Sequence, residues 1–302
     1  MTENLVNASQ RTLGEDQMDV GPLSYGLWRF TNPDIDQAQL RIETALHAGM
    51  NLVDAADVYG FDWGGTGFGS VEELLGKVLA QAPELRDQMV LATKGGISPG
   101  VPYDASPRYL RGACEASLRR LGTETIDIYL IHRPDLFAHP HDVAQTLTEL
   151  RSGGKVREVG VSNHTPAQIS ALQHYLDFPV VVSQIEYSAT CLDPLRDGSF
   201  DQALQHDIVP MAWSPLGGGS LATGDGVSAE LLETLDGLSQ RESVDRSIIA
   251  LAFVLAHPSA PVCVIGTQNV DRIVASRAAL DVHLDRTDVY NIVQASEGIA
   301  LP

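Results

Sequence analysis

Eight short apolar runs alternate with amphipathic stretches along most of this chain, and this alternation is the feature that most constrains its fold. The runs are almost continuously apolar, which is typical of parallel strands that are buried on both faces. Eight successive strand–helix units predict an α/β fold of the closed (β/α)8 TIM-barrel type rather than an open, doubly wound sheet. The predicted strands are residues 23–30, 51–55, 89–94, 126–132, 156–162, 180–187, 208–214 and 261–266.

The stretches between these runs have helical periodicity, and extra helices are predicted near the C-terminus. No Pro-, Gly- or Ser-rich linker divides the sequence, so residues 1–302 are predicted to form one domain. A short hairpin at residues 12–19 is predicted to cover the bottom of the barrel, where the strands begin. The predicted helices are residues 37–47, 71–80, 107–121, 141–153, 166–176, 200–206, 229–241, 245–256, 270–279 and 287–295.

The chain is strongly acidic, with 39 Asp and Glu residues against 20 Lys and Arg residues and a formal net charge of −19. A surface of this charge repels phosphate backbones and anionic lipids, so we expect neither nucleic acid nor membrane partners. An anionic cofactor would have to be held by local hydrogen-bond donors against this field. We expect a small carbonyl substrate as the partner, and a monomer or weak homo-oligomer.

Three cysteines, Cys114, Cys191 and Cys263, are widely spaced, form no CxxC motif and have no histidine nearby at metal-ligand spacing. We therefore expect buried, reduced thiols, no bound metal and a reducing compartment. The first ten residues are polar, and no apolar window approaches the length of a membrane span. These features predict a cytoplasmic protein.

Ionisable side chains follow three consecutive apolar runs. Asp54 ends the second predicted strand, Lys94 the third and His132 the fourth, and Tyr59 lies in the loop after Asp54. In a parallel barrel the C-terminal ends of all strands meet at one rim, where active sites form. Each residue alone has a structural explanation, such as capping a turn or reaching solvent. Their joint placement on neighbouring strands favours a shared catalytic role.

These four side chains would form a proton-transfer group suited to carbonyl reduction. A free phenol titrates near pH ~10, and an adjacent ammonium lowers that pKa by stabilising the phenolate. Asp54 would supply the carboxylate that makes a buried Lys94 tolerable, and a neutral His132 would orient a carbonyl oxygen beside Tyr59. Such a group protonates an oxygen that gains negative charge, which is what hydride transfer to a carbonyl produces.

Five sequence segments carry a resemblance to a known family. They are LVDAADVYG at 52–60, LATK at 91–94, IYLIH at 128–132, VGVSN at 159–163 and AWSPLG at 212–217. In their order and spacing the chain resembles the aldo-keto reductase superfamily over nearly its whole length, and its bacterial broad-substrate members most. The resemblance implies an NAD(P)H-dependent oxidoreductase that reduces aldehydes or ketones to alcohols, with Tyr59 as the proton donor.

The resemblance also implies that the nicotinamide cofactor binds in an extended form across the C-terminal face of the barrel. Ser162, Asn163 and Gln184 would hydrogen-bond the carboxamide, and Trp213 would stack on the nicotinamide ring. The residue types suit these roles, because amides both donate and accept hydrogen bonds and an indole offers a flat platform.

A glycine-rich stretch directly after Trp213 is predicted to hold the pyrophosphate. It contains Ser214, Leu216 and Gly218, which we predict as cofactor contacts. Glycines let backbone N–H groups approach an anion closely, which so acidic a protein requires.

The segment after the last predicted strand bears on the choice of cofactor. Gly266, Thr267 and Gln268 are predicted to contact the cofactor there. Arg272 matches an Arg of NADP-preferring members of the family, and a guanidinium can bind a 2′-phosphate in bidentate geometry. The Lys that those members also carry is absent here. We expect NADPH as the preferred cofactor and NADH as a second one.

Aromatic residues near the first two strand ends are predicted to line a substrate pocket suited to apolar aldehydes or ketones. They are Tyr25, Trp28, Phe61 and Trp63. The sequence SVEE at 70–73 predicts a capping box that starts the second helix.

Two other functions stay open at this stage. A barrel aldolase would use Lys94 to form a Schiff base, although Asp54 beside it would keep the amine protonated. A non-catalytic, redox-sensing subunit is the second alternative, because some barrels of this family resemble such subunits. The complete group of four side chains argues against it.

Overall fold

The computed structural model describes residues 3–302, and eight of its strands close into a parallel barrel. Each barrel strand pairs with the next one along the chain, and the last, β12, pairs with the first, β3. The closed barrel confirms the predicted fold class. The strands are β1 Arg11–Leu13, β2 Met18–Val20, β3 Leu23–Gly26, β4 Leu52–Asp54, β5 Val90–Gly95, β6 Ile97–Ser98, β7 Val101–Tyr103, β8 Ile126–Ile131, β9 Val156–Ser162, β10 Val180–Glu186, β11 Val209–Trp213 and β12 Val262–Ile265.

Helices connect the barrel strands and form the outer layer. Additional 3-10 turns cover Pro83–Gln88, Asp193–Leu195, Gly217–Gly219 and Arg277–Leu280. No helix within residues 3–302 has the length and apolar character needed to span a bilayer. The α-helices are α1 Ile35–His47, α2 Ser70–Gln81, α3 Pro107–Leu121, α4 Pro140–Ser152, α5 Pro166–Gln173, α6 Ser199–His206, α7 Ser220–Thr223, α8 Ala229–Glu242, α9 Arg246–Leu255, α10 Val270–Ser276 and α11 Arg286–Glu297.

The predicted hairpin is present and closes the bottom of the barrel. Strands β1 and β2 pair antiparallel, and Leu13, Met18 and Val20 pack against the apolar side chains that fill the barrel interior. Arg11 is almost fully buried beside them and donates to the carbonyl oxygens of Asn7, Ser9, Ala260 and Pro261. These bonds satisfy a charged group that would otherwise be costly to bury.

Alternation along each barrel strand decides which residues reach the rim. In β4, β5 and β8 the side chains of Leu52, Ala92 and Ile128 belong to the interior cluster, whereas Val53, Leu91 and Tyr129 pack against the helices. Successive side chains point to opposite faces. The next inward positions are therefore Asp54 after Leu52 and Lys94 after Ala92. After Ile128 they are Leu130 and then, at the rim, His132.

Several predicted details are wrong. The first strand ends at Gly26 instead of residue 30, because Leu27 N–H bonds to the Asp54 carbonyl and the chain then turns.

The predicted capping box is absent, since Gly69 is the N-cap of α2 and makes no side-chain cap. Glu72 is instead buried, where it accepts hydrogen bonds from Thr93 and Arg120. Cys191 is half-buried, although it is a free thiol like the other two cysteines.

Candidate active site

Lys94 is the centre of a buried hydrogen-bonded group at the C-terminal rim. Its Nζ lies 2.8 Å from Asp54 Oδ1, 2.9 Å from Oδ2 and 3.0 Å from Tyr59 Oη. It also donates to the Ala55 carbonyl oxygen at 2.8 Å, and Lys94 is fully buried. Gln184 Nε2 donates to Asp54 Oδ2 at 3.0 Å. The ammonium is thus satisfied by three acceptors and aimed at the phenol oxygen.

The electrostatics of this group keep both Lys94 and Tyr59 protonated. Burial acts to lower the pKa of Lys94, but the Asp54 and Tyr59 oxygens outweigh it and leave the pKa above its usual range. Burial raises the pKa of Tyr59, and Lys94 opposes that rise without reversing it. Lys94 thus acts on the pKa of Tyr59 in the expected direction, but burial has the larger effect in the free protein. A phenol that stays protonated is a group able to donate a proton.

His132 lies beside Tyr59, with the two ring centroids 5.9 Å apart and the ring planes at 78°. Burial, followed by the charges of Lys94 and Arg133, holds the pKa of His132 well below its usual range. Its Nδ1 is buried and has no hydrogen-bond partner among the described residues. The imidazole is therefore neutral and offers one N–H donor and one acceptor at the rim.

The residues predicted to bind the carboxamide and the nicotinamide ring lie together at the ends of three strands. Asn163 Nδ2 donates to Ser162 Oγ at 2.7 Å, and Asn163 Oδ1 accepts from Trp213 Nε1 at 3.1 Å. Asn163 has a positive φ of 57°, and its N–H bonds to the Gln184 carbonyl. A non-glycine residue held in this conformation is typical of a functional site. Trp213 is fixed at its edge and half-exposed.

The loop after β11 has the backbone conformation expected of an anion-binding segment. Ser214 has a φ of 50°, and Gly217, Gly218 and Gly219 have φ values of 56°, 69° and 115°. No atom lies within 4 Å of the position that a Cβ would take on Gly218 or Gly219. Successive residues of this kind can aim N–H groups at a phosphate from an open side. Leu216 lies half-buried in the same loop.

The segment after β12 carries the remaining residues that are predicted to contact the cofactor. Gly266 and Thr267 are half-exposed, and Arg272 is exposed in the first turn of α10. The Nε2 atom of Gln268 is buried without a hydrogen-bond partner among the described residues, and the backbone carbonyl oxygen of Gln268 accepts from Arg41 Nε at 2.8 Å. The contact of Gln268 with the cofactor stays a prediction.

Three of the four predicted pocket aromatics reach the rim. Trp28 and Trp63 are 45% and 46% exposed, and their rings are tilted by 37° with centroids 5.1 Å apart. Phe61 is 51% exposed and meets Phe68 edge to face. Tyr25, in contrast, is fully buried among the helix-facing side chains. The prediction that Tyr25 lines the substrate pocket is wrong, because its position in β3 points away from the barrel interior.

Three features of the rim were missed from the sequence. The Arg29 guanidinium lies over both Trp28 and Trp63 and donates to the Gly218 carbonyl oxygen at 3.3 Å. The β6–β7 hairpin forms one side of a cleft of about 250 Å³ that Val58 and Phe61 line from the other. Arg133 follows His132 directly, and its charge acts to lower the pKa of His132. A turn-rich SPGVPY segment at 98–103 was the only local signal for the hairpin.

Comparison with known proteins is consistent with this geometry. A family model described as the aldo/keto reductase family matches residues 22–297. A 6-dehydroglucose reductase from Novosphingobium aromaticivorans is 45% identical over 296 residues, which is 97% of each chain. A 6-dehydroglucose reductase from Agrobacterium fabrum is 35% identical over 302 residues, covering 96% of this chain and 98% of that one. A solved aldo/keto reductase from Klebsiella pneumoniae, in complex with NADP and acetate, shares the fold with a TM-score of 0.78 at 22% identity, over 98% of this chain and 97% of that one.

Proposed function

The chain belongs to the aldo/keto reductase family, and from this premise we propose that it reduces aldehydes or ketones to alcohols with a nicotinamide cofactor and with Tyr59 as the proton donor. The observation that carries the proposal is the position of Lys94 Nζ, which bonds to Tyr59 Oη at 3.0 Å and pairs with Asp54 at 2.8 Å. This ammonium can stabilise the phenolate that remains once the proton has left.

The residues of the rim have different roles in this proposed reaction. The nicotinamide, when bound, supplies the hydride that reduces the carbonyl carbon. Tyr59 gives its proton to the carbonyl oxygen, and His132, neutral because its pKa is depressed, orients that oxygen by a hydrogen bond. Asp54 holds Lys94 in place and keeps it charged. Stabilisation of the developing oxyanion by these donors is the main catalytic effect.

We propose NADPH as the preferred cofactor, with NADH as a second one. Trp213 would pack against the nicotinamide, with Ser162, Asn163 and Gln184 near the carboxamide. The open backbone at Gly218 and Gly219 suits the pyrophosphate. Exposure of Arg272 supports a contact with a 2′-phosphate, and the Klebsiella pneumoniae structure of the same fold is a complex with NADP.

We further propose a sugar aldehyde such as 6-dehydroglucose as the substrate. Two relatives that match nearly the whole chain are 6-dehydroglucose reductases, and one of them is 45% identical. A sugar presents both hydroxyl groups and an apolar C–H face, so the exposed Trp28 and Trp63 rings suit it as well as they suit apolar carbonyls.

The arrangement disfavours both alternatives. A Schiff-base lysine must lose its proton, yet Asp54 keeps Lys94 charged. A purely redox-sensing subunit would not need a phenol, an ammonium, a carboxylate and an imidazole in one bonded group.

Turnover by the purified protein tests the proposal. NADPH oxidation is followed with 6-dehydroglucose and with simple aldehydes, for the wild type and for Tyr59→Phe. The variant should lose about 10²- to 10⁴-fold in kcat, because it cannot donate the proton, while its NADPH affinity stays close to that of the wild type. Wild-type rates in Tyr59→Phe would exclude Tyr59 as the donor. A borohydride-trapped adduct on Lys94 would instead support the aldolase.

A further inference from the structure

Three loops of the rim meet at the side chain of Arg29. Its guanidinium carbon lies 5.5 Å from the centre of the Trp28 ring and 5.4 Å from the centre of the Trp63 ring. Its Nη2 donates to the backbone carbonyl oxygen of Gly218 at 3.3 Å. These residues belong to the loops after β3, β4 and β11. One side chain therefore joins the ends of three barrel strands.

The backbone that carries Arg29 is firmly fixed. Leu27 N–H donates to the Asp54 carbonyl oxygen at 2.9 Å, and Phe30 N–H donates to the Leu27 carbonyl oxygen at 2.9 Å. Leu27 and Phe30 are both buried in the larger hydrophobic core. Arg29 thus projects from a turn that is held on both sides.

The loop that carries Trp63 is held in a different way. Within the part of the chain that the structure describes, no backbone group of residues 62–66 bonds to another backbone group. Helix α2 begins only at Ser70. Trp63 instead contacts Trp28, with the ring centroids 5.1 Å apart and the ring planes tilted by 37°. Its position therefore depends on contacts between side chains, and Arg29 makes the cationic one.

The contacts of the Arg29 guanidinium are attractive. A guanidinium within about 6 Å of an indole centroid is attracted by the negative face of the ring, and a carbonyl oxygen accepts strongly from a charged donor. The Nε atom of Arg29 is buried without a hydrogen-bond partner among the described residues, so protein encloses this part of the side chain. The two indoles stay 45% and 46% exposed, so a substrate can still lie against them.

We propose that Arg29 is a positioning residue that holds Trp28 and Trp63 as one wall of the substrate site. Through Gly218 it also ties this wall to the loop after β11. Two indole rings offer an apolar surface that suits the C–H face of a ring-shaped aldehyde. This inference rests on the proposed reductase function and names the feature that selects ring-shaped aldehydes over small ones.

The test compares kcat/KM at saturating NADPH for ring-shaped and small aldehydes. 6-Dehydroglucose and cyclohexanecarbaldehyde carry a ring of the same size, whereas glycolaldehyde has no ring to lie against the indoles. Arg29→Leu and Arg29→Gln both remove the charge, so either decides the test if the other does not fold. Arg29→Lys keeps the charge, and Trp63→Leu is made alone and together with Arg29→Leu. The matched control is Arg119→Leu, which is exposed on α3. NADPH affinity and the melting temperature are measured for each variant.

Arg29→Leu should lower the ratio of kcat/KM for each ring-shaped aldehyde over glycolaldehyde by about 5- to 30-fold, because two cation–π contacts are lost. The change should come mainly through KM, since the catalytic group is untouched. Arg29→Gln should lower the ratio as well, Arg29→Lys should recover part of it, and Arg119→Leu should keep the wild-type value. In the Trp63→Leu background, Arg29→Leu should have a smaller effect than in the wild type, because contacting residues are coupled.

Other outcomes overturn the inference in distinguishable ways. An unchanged ratio in the variants that remove the charge, or a full additional loss in the double variant, would show that Arg29 does not act through the indoles, while the reductase function stands. A weaker NADPH affinity with an unchanged ratio would show that Arg29 serves the cofactor instead. A wild type that reduces glycolaldehyde but no ring-shaped aldehyde would show that the indoles form no substrate wall. If the wild type reduces no aldehyde with either cofactor, the proposed function fails and the inference fails with it.

Discussion

At the bottom of the barrel Arg11 donates to four backbone carbonyl groups, whereas at the rim Arg29 Nε and His132 Nδ1 are buried without partners. The bottom is covered by a hairpin whose inward side chains are apolar and buried. The rim instead exposes the aromatic rings of Trp28, Phe61 and Trp63. Both ends belong to the same eight strands, yet they meet different physical demands.

This difference indicates which residues stabilise the fold and which are available to bind a ligand. Completed hydrogen bonds and close packing at the bottom stabilise the fold. Buried polar atoms without partners at the rim, such as Arg29 Nε and His132 Nδ1, are free to bond a ligand, at some cost in stability. Substitutions at the bottom should therefore change the free energy of unfolding, and most substitutions at the rim should change activity. The Lys94–Asp54 pair is the exception, because both charges are buried at the rim and each stabilises the other.

The largest effect is expected when the Lys94–Asp54 pair is broken. Lys94→Met should lower the free energy of unfolding by about 3 to 5 kcal/mol, because it leaves Asp54 buried and unpaired, and it should also abolish most turnover. Urea denaturation and steady-state rates measure the two effects. The double variant Lys94→Met/Asp54→Asn serves as the control and should lose less stability than Lys94→Met alone. Equal losses would show that the two charges are not coupled.

The second effect lies at the bottom. Leu13→Ala should lower the free energy of unfolding by about 2 to 4 kcal/mol, because it opens a cavity in the interior cluster. Its kcat and KM should match those of the wild type. Thr12→Ala, at the exposed position of the same strand, should cost less than about 1 kcal/mol. A large fall in kcat for Leu13→Ala would break the proposed separation of the two ends.

A smaller effect is expected at the exposed edge of the rim. Arg272→Ala should weaken NADPH binding by about 10- to 100-fold, since a charge-assisted contact is lost, and should weaken NADH binding far less. Fluorescence titration is suited to this test, because the three tryptophans, Trp28, Trp63 and Trp213, all lie at the rim. Arg277→Ala is the control. Equal losses for both cofactors would mean that Arg272 does not bind the 2′-phosphate.

The smallest effect concerns the half-buried His257, which lies between α9 and β12 and stacks on Phe200. Burial lowers the pKa of His257 from 6.5 to about 4. The unfolded chain gains a proton as the pH falls below 6.5 while the folded protein does not, so stability falls across this window. Its contribution should be about 1 to 2 kcal/mol after allowance for partial exposure. Urea denaturation at pH 7 and pH 4.5 should therefore show a smaller decrease for His257→Phe than for the wild type. An identical decrease in both proteins would exclude His257 as its source.

The fold and the inward residues of the rim were predictable because they depend on local patterns. An apolar run indicates a buried strand. The ionisable residue that ends it, Asp54, Lys94 or His132, indicates which end of the strand lies at the rim. The sequence could not predict whether the Tyr25 side chain points to the barrel interior or to the helices. A strand that is apolar on both faces shows no alternation of polar and apolar residues. Arg133 escaped notice for another reason. The groups on which its charge acts, Tyr59 and Glu186, lie in other segments of the chain.

The hairpin of β1 and β2 determines at which end of the barrel small molecules can enter and leave. Leu13, Met18 and Val20 fill the lower opening, so within residues 3–302 the rim is the open end of the barrel. Cofactor, substrate and product would then share the rim as their entrance and exit. A blocker wide enough to cover Trp28 and Trp63 would obstruct entry and exit alike.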